Sequence, residues 1–447
     1  MIRRAGVLVV CTATVAVVAV AHAGPEDDPP SARMLGHAGA ALVSDDGLGA
    51  LFACPAGLGR REQLRAQLGG AIVDDDVRYA DGSHPAIRDR GPSAFAPTVV
   101  GAGVLGPFVV GAGFAVTETI DRRLPAPGPD DDATIAALYP HRYAGTEARW
   151  SRRALAVAGS WRAADWLAIG ASVTLAQVDL HETRRLWAGF DGRDALADPR
   201  RDVTVAISGG DGLVPGGAIG ALIAPATVPL EVALGASWAD DVRATGSATV
   251  TGPGTFSVIA PAPRTAARFA SPLALHAGAR WLGERYAIEA DVSAWLYPTM
   301  SGTRTWQLTG VRFVDESGVA ADLDHLTSRF HLESRLAARA AVDIEAVPGW
   351  LWITAGYGYA DVDGAAATAT TATLDPGGHT VGLGLGVSAG SATISLGVAR
   401  RLDRIITASA PGLAFDNPFP GGTAPANLGR HAQSRDQLAL ALELALP

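Results

Sequence analysis

The chain has 447 residues, a formal net charge of −9, and 48% hydrophobic against 18% charged residues. The acidic balance argues against a nucleic-acid partner, which would call for a basic surface. Beyond the N-terminus there is no run of 18 or more apolar residues, so an inner-membrane helical bundle is disfavoured. Every basic residue is an arginine, from which no function is read.

The first element is an export signal. Arg3 and Arg4 form its charged region, Val7 to Val20 its apolar region, and Ala21-His22-Ala23 a small-x-small cleavage site. The signal is therefore placed at 1–23, with Gly24 as the mature start. A lipoprotein signal would need a small residue before Cys11, where Val10 stands. A retained anchor helix is the competing reading, but the run is short for a bilayer, which takes about 20 residues. Cleavage leaves 447 − 23 = 424 residues. Cys54 is then the sole cysteine, so no intrachain disulfide forms despite export.

Residues 24–61 differ from the rest. Gly24 to Pro30 is an acidic, proline-rich leader. Ser31 to Gly59 is rich in Gly and Ala, broken at Asp45-Asp46-Gly47 and Cys54-Pro55-Ala56-Gly57, and too small to make its own core. It reads as a short plug packed inside something larger.

From 62 to 447 the pattern is that of strands. Approximate spans are 62–73, 95–104, 107–117, 151–161, 166–180, 213–224, 229–239, 266–282, 285–297, 328–345, 350–361, 378–389, 391–401 and 435–446. In 229–239, Leu230, Val232, Leu234, Ala236 and Trp238 share one face, with Glu231, Ala233, Gly235 and Ser237 on the other. In 328–345, Phe330, Leu332, Leu336, Ala338, Ala340, Val342 and Ile344 oppose His331, Glu333, Arg335, Arg339, Asp343 and Glu345. A soluble sandwich explains one such strand. Fourteen of them need a very large apolar partner, either lipid or an outsized core.

Short joints such as Gly106-Pro107 and Ala389-Gly390 alternate with long ones such as 118–150, 181–212, 298–327 and 402–434. That asymmetry is the pattern of outer-membrane barrels. Trp238, Trp281, Trp350 and Tyr286 near strand ends suit an interfacial girdle. The expected fold is thus all-β, a transmembrane antiparallel barrel of about fourteen strands with an N-terminal plug. The chain ends Leu446-Pro447, without the terminal aromatic that often closes such barrels.

The segment Ala32 to Ala41, the acid pair Asp45-Asp46, and Leu51-Phe52-Ala53-Cys54-Pro55-Ala56-Gly57-Leu58 together resemble the plug of the long-chain fatty acid transporter family of outer-membrane proteins. His141-Arg142-Tyr143, Pro229 to Gly246, and Leu374 to His379 match that family more loosely. One departure stands out: Cys54 occupies the place of the family's Asn, and a thiol makes only weak hydrogen bonds. The resemblance implies a plugged fourteen-stranded barrel. Hydrophobic ligands enter an outer groove, reach an interior pocket and leave sideways at a kinked third strand. Here that strand is 107–117, and Gly111 or Gly113 is the candidate kink. The competing reading is that these glycines make room for lumen neighbours.

Other motifs fall away. Gly101-Ala102-Gly103-Val104-Leu105-Gly106 lacks the helix that a dinucleotide site needs, as does Gly386-Val387-Ser388-Ala389-Gly390 for a nucleophile elbow. Asp74-Asp75-Asp76 and Asp130-Asp131-Asp132 read as solvated loop charges, with a cation site at lipopolysaccharide as the rival. Arg335 and Arg339 are candidate lumen contacts for a carboxylate, with mutual charge neutralisation the equal alternative. The expectation is a monomeric, cofactor-free, non-enzymatic channel in a Gram-negative outer membrane, surrounded by lipid and lipopolysaccharide. Its ligands are hydrophobic small molecules or fatty acids. A barrel that binds or shuttles exported protein partners, and an outer-membrane hydrolase, stay as alternatives.

Overall fold

A computed structural model describes residues 30–446, apart from 46, most of 129–137, 188–201, 253–255, 261–262, 298–302, parts of 316–319, 330–333, 362–369, 371–376 and 409–427. The export signal and most of the leader lie outside these residues.

Fourteen strands close into an antiparallel barrel. They are β1 (Leu64–Ala80), β2 (Ala94–Leu105), β3 (Phe108–Arg123), β4 (Glu147–Ala164), β5 (Leu167–Trp187), β6 (Asp202–Ile223) and β7 (Leu230–Ala239), then β8 (Leu273–Leu282), β9 (Tyr286–Leu296), β10 (Arg335–Val347), β11 (Leu351–Ala360), β12 (Gly378–Ala389), β13 (Ala392–Ala408) and β14 (Gly429–Leu446). The last strand closes on the first, from Leu64 opposite Leu446 to Ala80 opposite Arg430. Each strand is thus laddered to both neighbours over part of its length, which limits the open backbone groups that a bilayer cannot satisfy.

The period-two pattern sorts the faces. On β4 and β5, Leu155, Val157, Val173 and Leu175 point outward and are about half exposed or more, while Ala154, Ala156, Ala158 and Ala176 point inward and are buried. Aliphatic side chains facing out all round the wall form an apolar surface far larger than a soluble monomer carries. Phe108, Trp161, Trp166, Trp281, Tyr286 and Trp350 are exposed beside the short turns, where an interfacial girdle sits.

The joints at one rim are short, as at Gly106-Pro107 and Gly390-Ser391, where Gly106 and Gly390 take φ of 63° and 64°. Both backbone angles favour glycine. At the opposite rim the joints are long. Several strands run further toward that rim than the alternation marks: β3 reaches Arg123, β5 reaches Trp187 and β13 reaches Ala408. Beyond the lipid, ladder hydrogen bonds persist but the outward face no longer has to be apolar, so the pattern fades while the strand continues.

Three expectations need correction. The predicted strand 328–345 is not continuous. His325–Arg329 pairs with Thr303–Thr309, and β10 begins at Arg335. Phe330, His331, Leu332 and Glu333 lie outside the described residues. The predicted strand 266–282 likewise divides at Ala270–Pro272, between Arg264–Phe269 and β8. Strands 242–251, 264–269, 303–309 and 325–329 extend one wall beyond the barrel from the outer half of β6. The largest apolar cluster lies here, around Trp306, Phe313, Val205 and Ile207.

Asp74-Asp75-Asp76 is also not a loop, since it lies within β1. The Asp75 side chain is 5% exposed, with Arg122 at 2.6 Å and Arg435 at 3.4 Å. Of the other acid run, Asp130 and Asp132 lie outside the described residues.

Candidate functional site

The lumen is occupied by residues 30–61. They form helix α1 (Ala32–Gly36), helix α2 (Leu48–Phe52) and a 3-10 turn, Pro55–Arg60. Ser31 caps α1, its hydroxyl accepting from the Met34 N–H at 3.1 Å. Asp45 accepts from the N–H groups of Gly47 (2.7 Å) and Gly49 (3.1 Å), which turns the chain into α2.

Glycines on the lumen face form sockets for this backbone. A Cβ on Gly397 would lie 2.0 Å from the Ala32 carbonyl oxygen, one on Gly356 2.1 Å from the His37 carbonyl carbon, and one on Gly382 2.2 Å from the Leu35 oxygen. On the other side, Gly170 faces Pro55-Ala56 and Gly235 faces the Ala53 carbonyl. At these positions the plug backbone and the wall are in close contact.

The motif residues Cys54, Pro55 and Ala56 lie in this contact. Cys54 is buried against Gly220, its thiol 3.5 Å from the Leu234 carbonyl and 4.0 Å from that of Ala221. Burial pushes the Cys54 thiol up to about 11. Pro55 opens the 3-10 turn, and the Ala56 carbonyl accepts from Ser160 at 3.3 Å.

Polar contacts fasten the plug at two places. Carboxylates of β9 and β10 hold its middle: Asp291 accepts from Leu42 N–H at 2.8 Å, Glu289 from Val43 and Ser44 at 2.6 and 3.1 Å, and Asp343 sits 2.8 Å from His37 Nε2. Arg280 lies among these acids, 3.2 Å from Asp343 and 3.9 Å from Glu289. The end is held by a bidentate pair of Arg60 with Glu231 at 2.7 and 2.6 Å, and by Arg162 donating to the Gly59 carbonyl at 2.8 Å.

Arg335 and Arg339 both face the lumen from β10 beside Trp295, with guanidinium carbons 5.6 and 5.5 Å from its ring centre. Arg335 is buried at the wall. Arg339 reaches a cavity of about 70 Å³ beside α1, lined also by Met34, Leu35, Tyr359, Thr380 and Arg401. Arg401 and Trp295 were not nominated by the sequence. Their lumen orientation depends on register near a bulge and on which strand follows a long loop.

Gly111 and Gly113 pair without interruption, with Ala102 and Val100 on β2 and with Ala158 and Ala156 on β4. A Cβ on Gly113 would lie 2.6 Å from Leu51 of the plug. The break in the wall falls further along β3. The β2–β3 ladder stops at Thr98 opposite Ala115. From there Ala94–Pro97 pair only with β1, and β3 from Val116 onward pairs only with β4, among the described residues. Pro97 has no N–H to extend the ladder, and Thr117 bulges out of the β3–β4 register between Val116 and Glu118. Beyond the gap, the segment preceding β2 meets β3 again where Arg90 N–H donates to the Arg123 carbonyl at 2.9 Å. Inside this window lie Leu35, Ala71, Ala96, Val116 and Ala399, in one apolar cluster. Leu35 and Ala399 also line the cavity.

This plugged barrel with a window beside its third strand has close structural counterparts. A FadL homologue from Pseudomonas aeruginosa superimposes with a TM-score of 0.73 at 13% identity, covering 95% of this chain and 100% of that one. The chain has the FadL fold. The toluene transporter TodX of P. putida gives 0.64 at 15% identity, over 92% and 99% of the two chains. The toluene transporter TbuX of Ralstonia pickettii gives 0.64 at 14%, over 94% and 99%. No protein-family model matches the sequence, and no curated protein is similar to it in sequence. The likeness is therefore one of fold.

Proposed function

We propose that this FadL-fold barrel is an outer-membrane channel for the passive uptake of hydrophobic molecules, long-chain fatty acids among them. The observation that carries the reading is the pairing of a filled lumen with a break in the wall. The plug closes the axial path with Arg60–Glu231 and the Gly220 and Gly235 sockets. The β2–β3 ladder meanwhile ends at Thr98 and Ala115, beside an apolar cluster shared with the cavity. An apolar solute gains from leaving into lipid without crossing water. Related folds carry toluene by their names. Two arginines at the cavity of this chain, Arg339 and Arg401, favour a ligand with an acidic head. The cavity, about 70 Å³, is smaller than the roughly 300 Å³ at which ligand pockets begin. Ligand entry therefore requires the side chains around this cavity to make room.

Ala96 and Val116 lie on the two strands that flank the window and belong to one apolar cluster. Replacing both by cysteine and oxidising should stitch the window shut. Uptake of a fluorescent fatty acid into proteoliposomes should then fall and should return on reduction. Full uptake with the cross-link formed would refute lateral exit. A stoichiometric protein partner co-purifying in place of lipid would favour the partner-binding reading.

A further inference from the structure

Resting on that reading, we infer that Trp295 and Gly39 are specificity-determining positioning residues: they hold Arg339 so that the channel distinguishes a carboxylated hydrophobic molecule from its uncharged analogue. Arg339 has a long side chain that would sample many rotamers in an open lumen, and ordering it costs entropy. Three contacts restrict it. The Trp295 ring lies 5.5 Å from its guanidinium carbon, within cation–π range. Its Nη1 donates to Ser293 Oγ at 3.2 Å. Its Nε and Cδ lie against Gly39, where a Cβ would stand 2.7 and 2.8 Å away.

Gly39 has φ of 91°, so both its conformation and its missing side chain are used here. Trp295 is itself fixed. It is 3% exposed, it packs on Ala274, Ala337 and Ala360, and His276 meets its ring edge-on at 6.2 Å. The same ring carries Arg335 at 5.6 Å. Arg339 lines both the larger cavity and a second of about 10 Å³ walled by His276, Asp291 and Ser293, and shares that border with Met34 and Gly39. A leucine in place of Trp295 is smaller and loses the cation–ring contact, so Arg339 would swing from the cavity wall.

The test compares dodecanoic acid with dodecanol, which share a chain length and differ at the head. Binding of each is measured on the full-length barrel in amphipol, above the pH at which the acid ionises. The wild type should bind the acid about tenfold more tightly, the scale of one charge-assisted hydrogen bond. Trp295→Leu should lose several-fold for the acid and leave the alcohol unchanged, and Gly39→Ala, at a residue that lines the cavity, should lower the ratio of acid to alcohol binding several-fold. Trp295→Phe, which keeps a ring, should restore most of the preference. Slower migration on boiling checks that each variant is folded. Parallel loss of acid and alcohol in Trp295→Leu, or a preference untouched by either variant, would overturn the inference. A wild type that binds both ligands equally would overturn it as well. A wild type that binds neither would overturn the uptake reading, and the inference with it.

Discussion

Gly397→Ala is a one-methyl test of the plugged lumen. The new Cβ would stand 2.0 Å from the Ala32 carbonyl oxygen, about 1.4 Å inside ordinary contact, and backbone surrounds it on the plug side. A flexible side chain yields, but a helix backbone does not, so α1 must move as a unit. Overpacking of this kind costs about 1–3 kcal/mol. It falls on the plug contact alone, because the outward face of β13 is untouched. Gly386→Ala on neighbouring β12 is the control: its nearest neighbours, Ser395 Oγ and the Trp352 Cβ, are 3.8 Å away, an ordinary contact. In planar bilayers Gly397→Ala should raise ion conductance and the frequency of open events. Gly386→Ala should match the wild type. Gly356→Ala, 2.1 Å from the His37 carbonyl carbon, should repeat the Gly397 result at an independent site. Boiling should shift all three equally on a gel. Equal conductance in Gly397→Ala, Gly356→Ala and Gly386→Ala would show that α1 is not seated in these sockets.

The remaining predictions concern separate parts of the chain. Cys54, raised to about 11 by burial, should react with a bulky polar thiol reagent far more slowly than a free thiol at pH 8, and Cys54→Asn should preserve folding; fast labelling of intact protein would place the residue outside the plug contact. Ala338→Arg, facing outward, should cost about 2–4 kcal/mol near mid-membrane. Ala337→Arg should also be costly, because Ala337 packs against Trp295 in a filled lumen, so a near-neutral Ala337→Arg in refolding titrations would indicate a watery interior. His141 is buried in the outer loop region and its pKa is lowered from 6.5 to about 4 by burial. Its folded value lies below the unfolded one, so its contribution is fully present above about pH 6.5 and is lost as pH falls toward 4. Proteolysis of the 139–146 segment should rise through that window, and a flat profile would contradict the buried placement.

Alternation marked where each barrel strand lies, because lipid outside and protein inside impose opposite demands on successive residues. Leu155 and Ala156 show it in adjacent positions. The Asp45 turn and the Gly-Ala composition of 31–59 likewise marked the plug, since a segment without its own apolar face must pack into another. The strands over the outer apolar cluster, such as 303–309 and 325–329, carry no such mark. They are set by pairing partners distant in the chain, and one face does not meet lipid. The same limit applied to the third strand. Its glycines suggested a kink at Gly111 or Gly113, yet the ladder ends at Ala115, where Pro97 of one strand and the Thr117 bulge of another come together. Arg339 was legible as a lumen charge from strand parity alone. That it leans on Trp295 from β9 and on Gly39 from the plug is a tertiary fact, because three segments far apart in sequence converge on one guanidinium only when the barrel closes around its own N-terminus.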